Sequence, residues 1–137
     1  MALPNGAGGY QIGDGNVNEP SFSVVPAPAT ATATATLTAD QVLNGILLGS
    51  PGSSAASYTL PTVATLEAAL PSADKAGVAF DFSVVNVDGS SSGVITLVTN
   101  TGWTLVGLMT VVATAGTAQM FRARKTGSGS WTLYRIG

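Results

Sequence analysis

The chain has 137 residues, 45% of them hydrophobic and only 9% charged, with no cysteine and no histidine. That length suits one domain able to bury a core without staples, and the missing side chains exclude disulfides, thiolate chemistry, the usual general base and the commonest metal ligand. The formal charge of −2 conceals an asymmetry: residues 1–121 hold seven acids against Lys75, whereas residues 122–137 hold Arg122, Arg124, Lys125 and Arg135 and no acid, a distribution ill suited to nucleic acid.

Residues 1–28 read as an extended arm. The opening MALPNGAGGYQ has neither a basic n-region nor an apolar run, so no secretory signal is expected. Gly6, Gly8, Gly9, Gly13 and Gly15, with Pro4, Pro20, Pro26 and Pro28, preclude a regular helix. Gly6-Ala-Gly-Gly9 lacks the strand and helix of a phosphate loop, and Asp14-Gly-Asn16 lacks the full ligand pattern of a calcium loop. Yet Tyr10, Ile12, Val17, Phe22, Val24 and Val25 are spaced through the segment. Such anchors are foreign to a solvating tail. They suggest a strap that buries its apolar residues in something else, the alternative being a disordered terminus.

Next comes Ala29-Thr-Ala-Thr-Ala-Thr-Ala-Thr36. In an extended chain its threonines face one way and its alanines the other. Neither face buries much, so the tract does not fix its own register. It suits a spacer, or an edge strand lying along a neighbouring surface. Extended, residues 1–36 reach about 120 Å, against a gyration radius of about 13 Å for a body of ~100 residues. The expected division is an arm over 1–36 and a β-rich body over 37–137. Threonine arrays also form ice-binding faces on β-solenoids, but only one tract is present, without a solenoid repeat.

The body opens with a short helix, capped by Thr38 with Gln41 and stopped at Gly45. Ile46-Leu47-Leu48 reads as a strand, residues 49–54 as a loop, and Ser57–Leu60 as another strand. Pro61 opens a second helix with Val63, Leu66 and Leu70 at helical spacing, and Pro71 ends it. From residue 78 the period is two, with Val78, Phe80, Phe82 and Val84 on one face and Ala79, Asp81, Ser83 and Val85 on the other. Asp88–Gly93 reads as a turn. Strands over 94–98, 103–106, 108–114, 118–126 and 131–136 follow, with residues 127–130 as a hairpin loop. Residues 103–120 are strongly apolar and uncharged, but their glycines and their Thr/Val density favour strands over a membrane span. The expectation is a mainly β fold, a β-sandwich or jelly-roll-like domain with one or two short helices.

A soluble surface usually carries roughly 25–35% charged residues. This chain falls far short, so either threonine, serine and glycine cover it or identical copies do. An oligomer of identical copies is expected.

Residues 37–137 resemble the head decoration proteins, also called capsid cement or head-fibre proteins, of tailed bacteriophages. The likeness rests on LTADQVLNGILLGSPGSSAASYTLPTVATLEAALPS, AGVAFDFSVVNVDG, TGWTLVGLMTVVA and FRARKTGSGSWTLYRIG, in that order. It covers about three-quarters of the chain and omits residues 1–36. The resemblance implies a non-enzymatic protein on the outer surface of the virion capsid. Such proteins are often homotrimers that bind the major capsid protein and tie neighbouring subunits together, without nucleic acid, membrane or cofactor.

Lys75 reads as a solvated loop charge, and Asp81 and Asp88 as separate polar positions. Trp103, Trp131 and Tyr134 are either core packing or a sugar-binding platform. The platform would belong to the alternative function, a fibre-type receptor- or glycan-binding module. Arg122, Arg124 and Lys125 are expected to form a basic strip, with Arg122 and Arg124 on one face and Phe121 and Ala123 on the other. The strip is either a solvated face or the dock for an acidic capsid partner. The strap residues Tyr10, Ile12, Val17, Phe22, Val24 and Val25 are the other expected capsid contacts. No metal or catalytic residue is expected.

Overall fold

The structure, a computed structural model, describes Pro20 and residues 22–137. In chain order its elements are β1 (Ala29–Ala31), β2 (Ala35–Thr36), α1 (Ala39–Leu43), β3 (Ile46–Gly49), β4 (Ala56–Thr59), α2 (Val63–Ala68), β5 (Ala79–Asn86), β6 (Ile95–Val98), β7 (Trp103–Val106), β8 (Thr110–Val111), β9 (Thr117–Gly127) and β10 (Ser130–Arg135). Six strands form a large sheet in the order β1-β3-β5-β9-β10-β7, and four form a small one in the order β2-β4-β6-β8. The inner faces of both supply one core. Leu47, Phe82, Phe121, Trp131 and Leu133 come from the large sheet, and Tyr58, Ile95, Leu97 and Val111 from the small. The chain is mainly β, sandwich-like, with two short helices.

From β1 to β8 the chain alternates between sheets. β1, β3 and β5 are parallel neighbours in the large sheet, and β2, β4 and β6 in the small. Three successive wraps thus stack on one another, each giving a strand to each sheet. A parallel pair needs a long crossover; here each crossover contains a strand of the opposite sheet and a short helix as well. The last third closes differently. β9 is antiparallel to both β5 and β10, and β7 runs parallel to β10 at the far edge.

Both helices are too short to persist on propensity alone. Capping and packing hold them. Thr38 Oγ1 accepts from the Gln41 amide (3.3 Å), and Gln41 Oε1 accepts from the Thr38 amide (2.8 Å). Val42 in α1 and Val63 and Leu66 in α2 are buried. The indoles and phenyl rings form a tilted chain inside: Phe82 lies 5.7 Å from Phe121, Phe80 5.8 Å from Trp131, and Trp103 6.2 Å from Trp131. One polar side chain sits fully inside. Asn86 donates to the carbonyls of Gly93 (2.9 Å) and Val112 (3.0 Å) and accepts from the Gly89 amide (2.7 Å). It ties the β5–β6 connection to the β8–β9 connection, and Gly89 leaves no room for a Cβ beside it.

The Ala/Thr tract corrects the expected division at residue 36. A bend at residues 33–34 splits it between β1 and β2, the edge strands of the two sheets. Its partner surface is the chain's own body. The Tyr58 hydroxyl, fully buried, reaches the carbonyls of Ala31 (3.1 Å) and Thr32 (3.0 Å) where the chain crosses between sheets. Gln41 Nε2 donates to Thr30 O (2.7 Å), and Thr34 Oγ1 accepts from the Ser57 amide (3.0 Å). Small side chains suit this course, since Ala29 and Ala31 pack on the core while the threonines stay outside. Attachment begins at Ala27, whose carbonyl accepts from Asn44 Nδ2 (3.2 Å).

Candidate functional site

Among the strap residues, Tyr10, Ile12 and Val17 lie outside the described residues, as do Gly6–Gly9 and Asp14–Asn16. Phe22, Val24 and Val25 are described, and their side chains are 69%, 104% and 72% exposed. They bury almost nothing on their own body. A fully exposed valine forfeits the ~1.5–3 kcal/mol that its burial would contribute, so these positions are available to another surface.

The basic strip lies on β9, where alternation divides it. Arg122 and Arg124 point outward, while Phe121, Ala123 and Lys125 point in. Arg122 is already engaged. Its Nε and a terminal nitrogen bond the two carboxylate oxygens of Asp81, its cross-strand neighbour on β5, at 2.8 and 3.1 Å. The hydrogen bond from Arg122 holds the Asp81 carboxyl below its usual range, and Asp81 in turn raises the guanidinium. Arg124 has no acidic partner among the described residues.

Lys125 does not belong to the strip, and that expectation is corrected. Its side chain is buried beneath α2, where Nζ donates to Glu67 Oε2 (2.9 Å) and to the Ala73 carbonyl (2.8 Å). The same carboxylate oxygen accepts from the Trp131 indole (3.2 Å). Lys125, first of all, holds the Glu67 carboxyl below its ordinary range, with Trp131 helping and partial burial opposing. A lysine cannot leave its ammonium unpaired in an apolar core, so this knot is structural. The signal was present in the alternation, which puts Lys125 in phase with Phe121 and Ala123.

Trp103 and Trp131 are likewise inside, 7% and 1% exposed. Their indole nitrogens are spent on Pro61 O (2.7 Å) and on Glu67. Only Tyr134, half-buried, is on the outer face, so the three do not form an exposed platform. Asp81 and Asp88 serve different partners, Asp88 accepting from the Gly52 amide (3.0 Å). Lys75 is exposed in the loop after α2. A shallow apolar depression lies nearby, lined by Leu70, Pro71, Ala73 and Val78.

Sequence reasoning missed an apolar band on the outer face of the large sheet. Register puts Ile46 beside Ser83 and Ser83 beside Met120. Ile136 follows, its amide donating to Met120 O (3.0 Å). Leu108, two residues past Val106, follows the left-handed turn at Gly107, after which Met109 O accepts from the Leu97 amide of β6. Leu48, Val85 and Ala118 form the adjoining row. Asp81 and Arg122 border the band on its other side, with Arg124 one row further. Ile46, Met120 and Ile136 are each 43% exposed and Leu108 63%.

Comparison with known proteins gives no match from any family model, curated protein or solved structure. The outer face, the strap and the charge distribution are therefore what bear on function. Among the described residues, no helix is long and apolar enough to cross a membrane.

Proposed function

We propose that this protein decorates the head of a tailed bacteriophage, binding the outer surface of the capsid and stabilising the shell by bridging neighbouring subunits of the major capsid protein. The observation that carries this reading is the strap. Phe22, Val24 and Val25 stand exposed on an extended segment whose root, Ala27 to Thr36, is bonded into both sheets of the body. A segment firmly rooted and apolar beyond its root is what a clamp requires. Tyr10, Ile12 and Val17 are further large apolar residues earlier in the same stretch of sequence. Arg124, with Arg122 behind it, supplies the cationic contact for an acidic partner. The sparse charge of the body accords with assembly into a homotrimer.

The fibre-type receptor- or glycan-binding alternative drew on exposed tryptophan or tyrosine; both indoles are buried, and Tyr134 is half-buried on the outer face. That favours the decoration reading. The test is occupancy on purified capsids that lack the protein, measured by cryo-imaging with the full chain and with residues 1–28 deleted. The truncated chain should fold and bind weakly. A strap variant with Phe22, Val24 and Val25 changed to serine, which leaves every described strand intact, should lose affinity too. Full-strength binding by either would contradict the proposal.

A further inference from the structure

The sequence holds two Asn-Gly pairs: Asn5-Gly6, outside the described residues, and Asn44-Gly45, at the junction of α1 and β3. The second pair is where the strap's root is fastened, since Asn44 Nδ2 donates to Ala27 O (3.2 Å). We infer that Asn44 is a site of spontaneous deamidation, and that its conversion to a carboxylate unlatches the root of the strap and keeps it unlatched.

The chemistry is that of the dipeptide. The backbone nitrogen of Gly45, giving its proton to water, attacks Asn44 Cγ. An N–Cγ bond forms, the Cγ–Nδ2 bond breaks, and Nδ2 leaves as ammonia. Water then opens the cyclic imide at either carbonyl, giving an aspartyl or an isoaspartyl residue; nothing is oxidised or reduced. Attack needs a nitrogen that is neither crowded nor bonded elsewhere. Gly45 has no side chain, a Cβ placed on it would meet nothing within 4 Å, and its amide donates to no acceptor among the described residues. Asn44 is only half-buried, so water reaches the site.

The fold holds the reaction back. Asn44 caps α1 at ψ −5°, its own amide bonded to Asp40 O (3.0 Å), and Gly45 O accepts from the Ser83 amide (2.9 Å). Ring closure swings the Gly45 nitrogen round to the Cβ side of Asn44, a turn about ψ that this cap opposes, and the Asn44 side chain must first leave Ala27 O. Deamidation is therefore gated by local opening of the strap's root. Afterwards the root cannot close as before. A carboxylate has no proton to give Ala27 O. It also stands four residues from Asp40 at the end of one short helix, a like-charge spacing that destabilises. The isoaspartyl form adds a methylene to the backbone entering β3 as well.

What the strap grips does not enter here, so the capsid reading is judged separately, by occupancy. The full-length chain in mildly alkaline buffer is followed by peptide mapping for the mass gain of amide to acid at Asn44, beside a synthetic peptide of residues 40–50. Asn44 should convert about tenfold more slowly in the folded chain than in the peptide. In urea below the unfolding transition its conversion should rise in step with hydrogen exchange at the Ser50 amide, which bonds to Ala31 O in the same root. The consequence is read on two full-length variants. Ser50 should lose more protection in Asn44→Asp than in Asn44→Ala, which merely removes the donor, and the difference should vanish as pH falls through the carboxylate range, where the protonated side chain donates again. Three results would overturn the inference: Asn44 still intact in the folded chain long after the peptide is converted, conversion that stays constant while Ser50 exchange rises, or equal Ser50 protection in Asn44→Asp and Asn44→Ala at neutral pH.

Discussion

Replacing Tyr58 by phenylalanine tests how the Ala/Thr tract is held. The ring is fully buried and its hydroxyl reaches two carbonyls, Ala31 O at 3.1 Å and Thr32 O at 3.0 Å. Phenylalanine keeps the shape and removes the donor. One O–H serves both acceptors, so the loss is that of one good hydrogen bond plus a carbonyl left poorly solvated, about 1–2 kcal/mol. The expected fall in Tm is roughly 4–8 °C. Local and global effects separate in hydrogen exchange, because the Ser50 and Leu37 amides bond to Ala31 O and Thr59 O and report on the tract's two ends. Both should exchange faster in Tyr58→Phe, while amides of the β9 and β10 hairpin follow only the global change. Alkaline titration adds a check. Burial chiefly, and the Asp88 charge next, raise the phenol above its ordinary value of 10.0. Its folded form is the harder to ionise, so its contribution is complete below that value and is lost as pH rises through the higher folded one. The native chain should weaken above about pH 10, and Tyr58→Phe should do so less steeply. Unchanged stability together with unchanged exchange at Ser50 and Leu37 would refute the clamp.

Three further outcomes are expected. Glu67→Gln should be less stable than the native chain at pH 7, measured by urea unfolding, because Lys125 loses its partner. Since the Glu67 carboxyl is lowered from 4.5, its contribution is present above that value and lost as pH falls through the lower folded one; the two proteins should converge in acid. Asn86→Ala should cost about 3 kcal/mol in chemical denaturation, because the Gly93 carbonyl and the Gly89 amide lose their buried partner and the Val112 carbonyl loses one of its three donors. Arg124→Glu should weaken capsid occupancy at low salt more than Arg122→Glu, since Asp81 already neutralises Arg122, and the remaining binding should depend less on salt; equal occupancy for native and Arg124→Glu chains would remove the cationic contact.

Much of the fold was legible where the signal is local. Thr38 with Gln41 marked the first helix, Pro61 the second, and the alternation from residue 78 separated Phe80 and Phe82 from Asp81 and Ser83 as the structure does. The turn at residues 127–130 announced the β9 and β10 hairpin. What alternation cannot convey is which strand lies beside which, because it identifies faces and not partners. The parallel stacking of β1, β3 and β5 was therefore invisible, and so was the outer band, whose members Ile46 and Met120 meet only through β5. The tract was opaque for a related reason: its small side chains say little, and its hold comes from Tyr58, Gln41 and Ser57 elsewhere in the chain. Lys125 reads as surface by its charge and as core by its phase on β9, and the phase prevails.

The stacking of β1 on β3 also has a mechanical side. A pull on the strap enters β1 along its own axis, and the bonds joining β1 to β3 lie across that axis. They are loaded together, in shear, and cannot be peeled apart singly. Beyond the bend the same tension passes to β2 and the opposite sheet. A tether anchored this way resists sudden load far better than its few short bonds suggest.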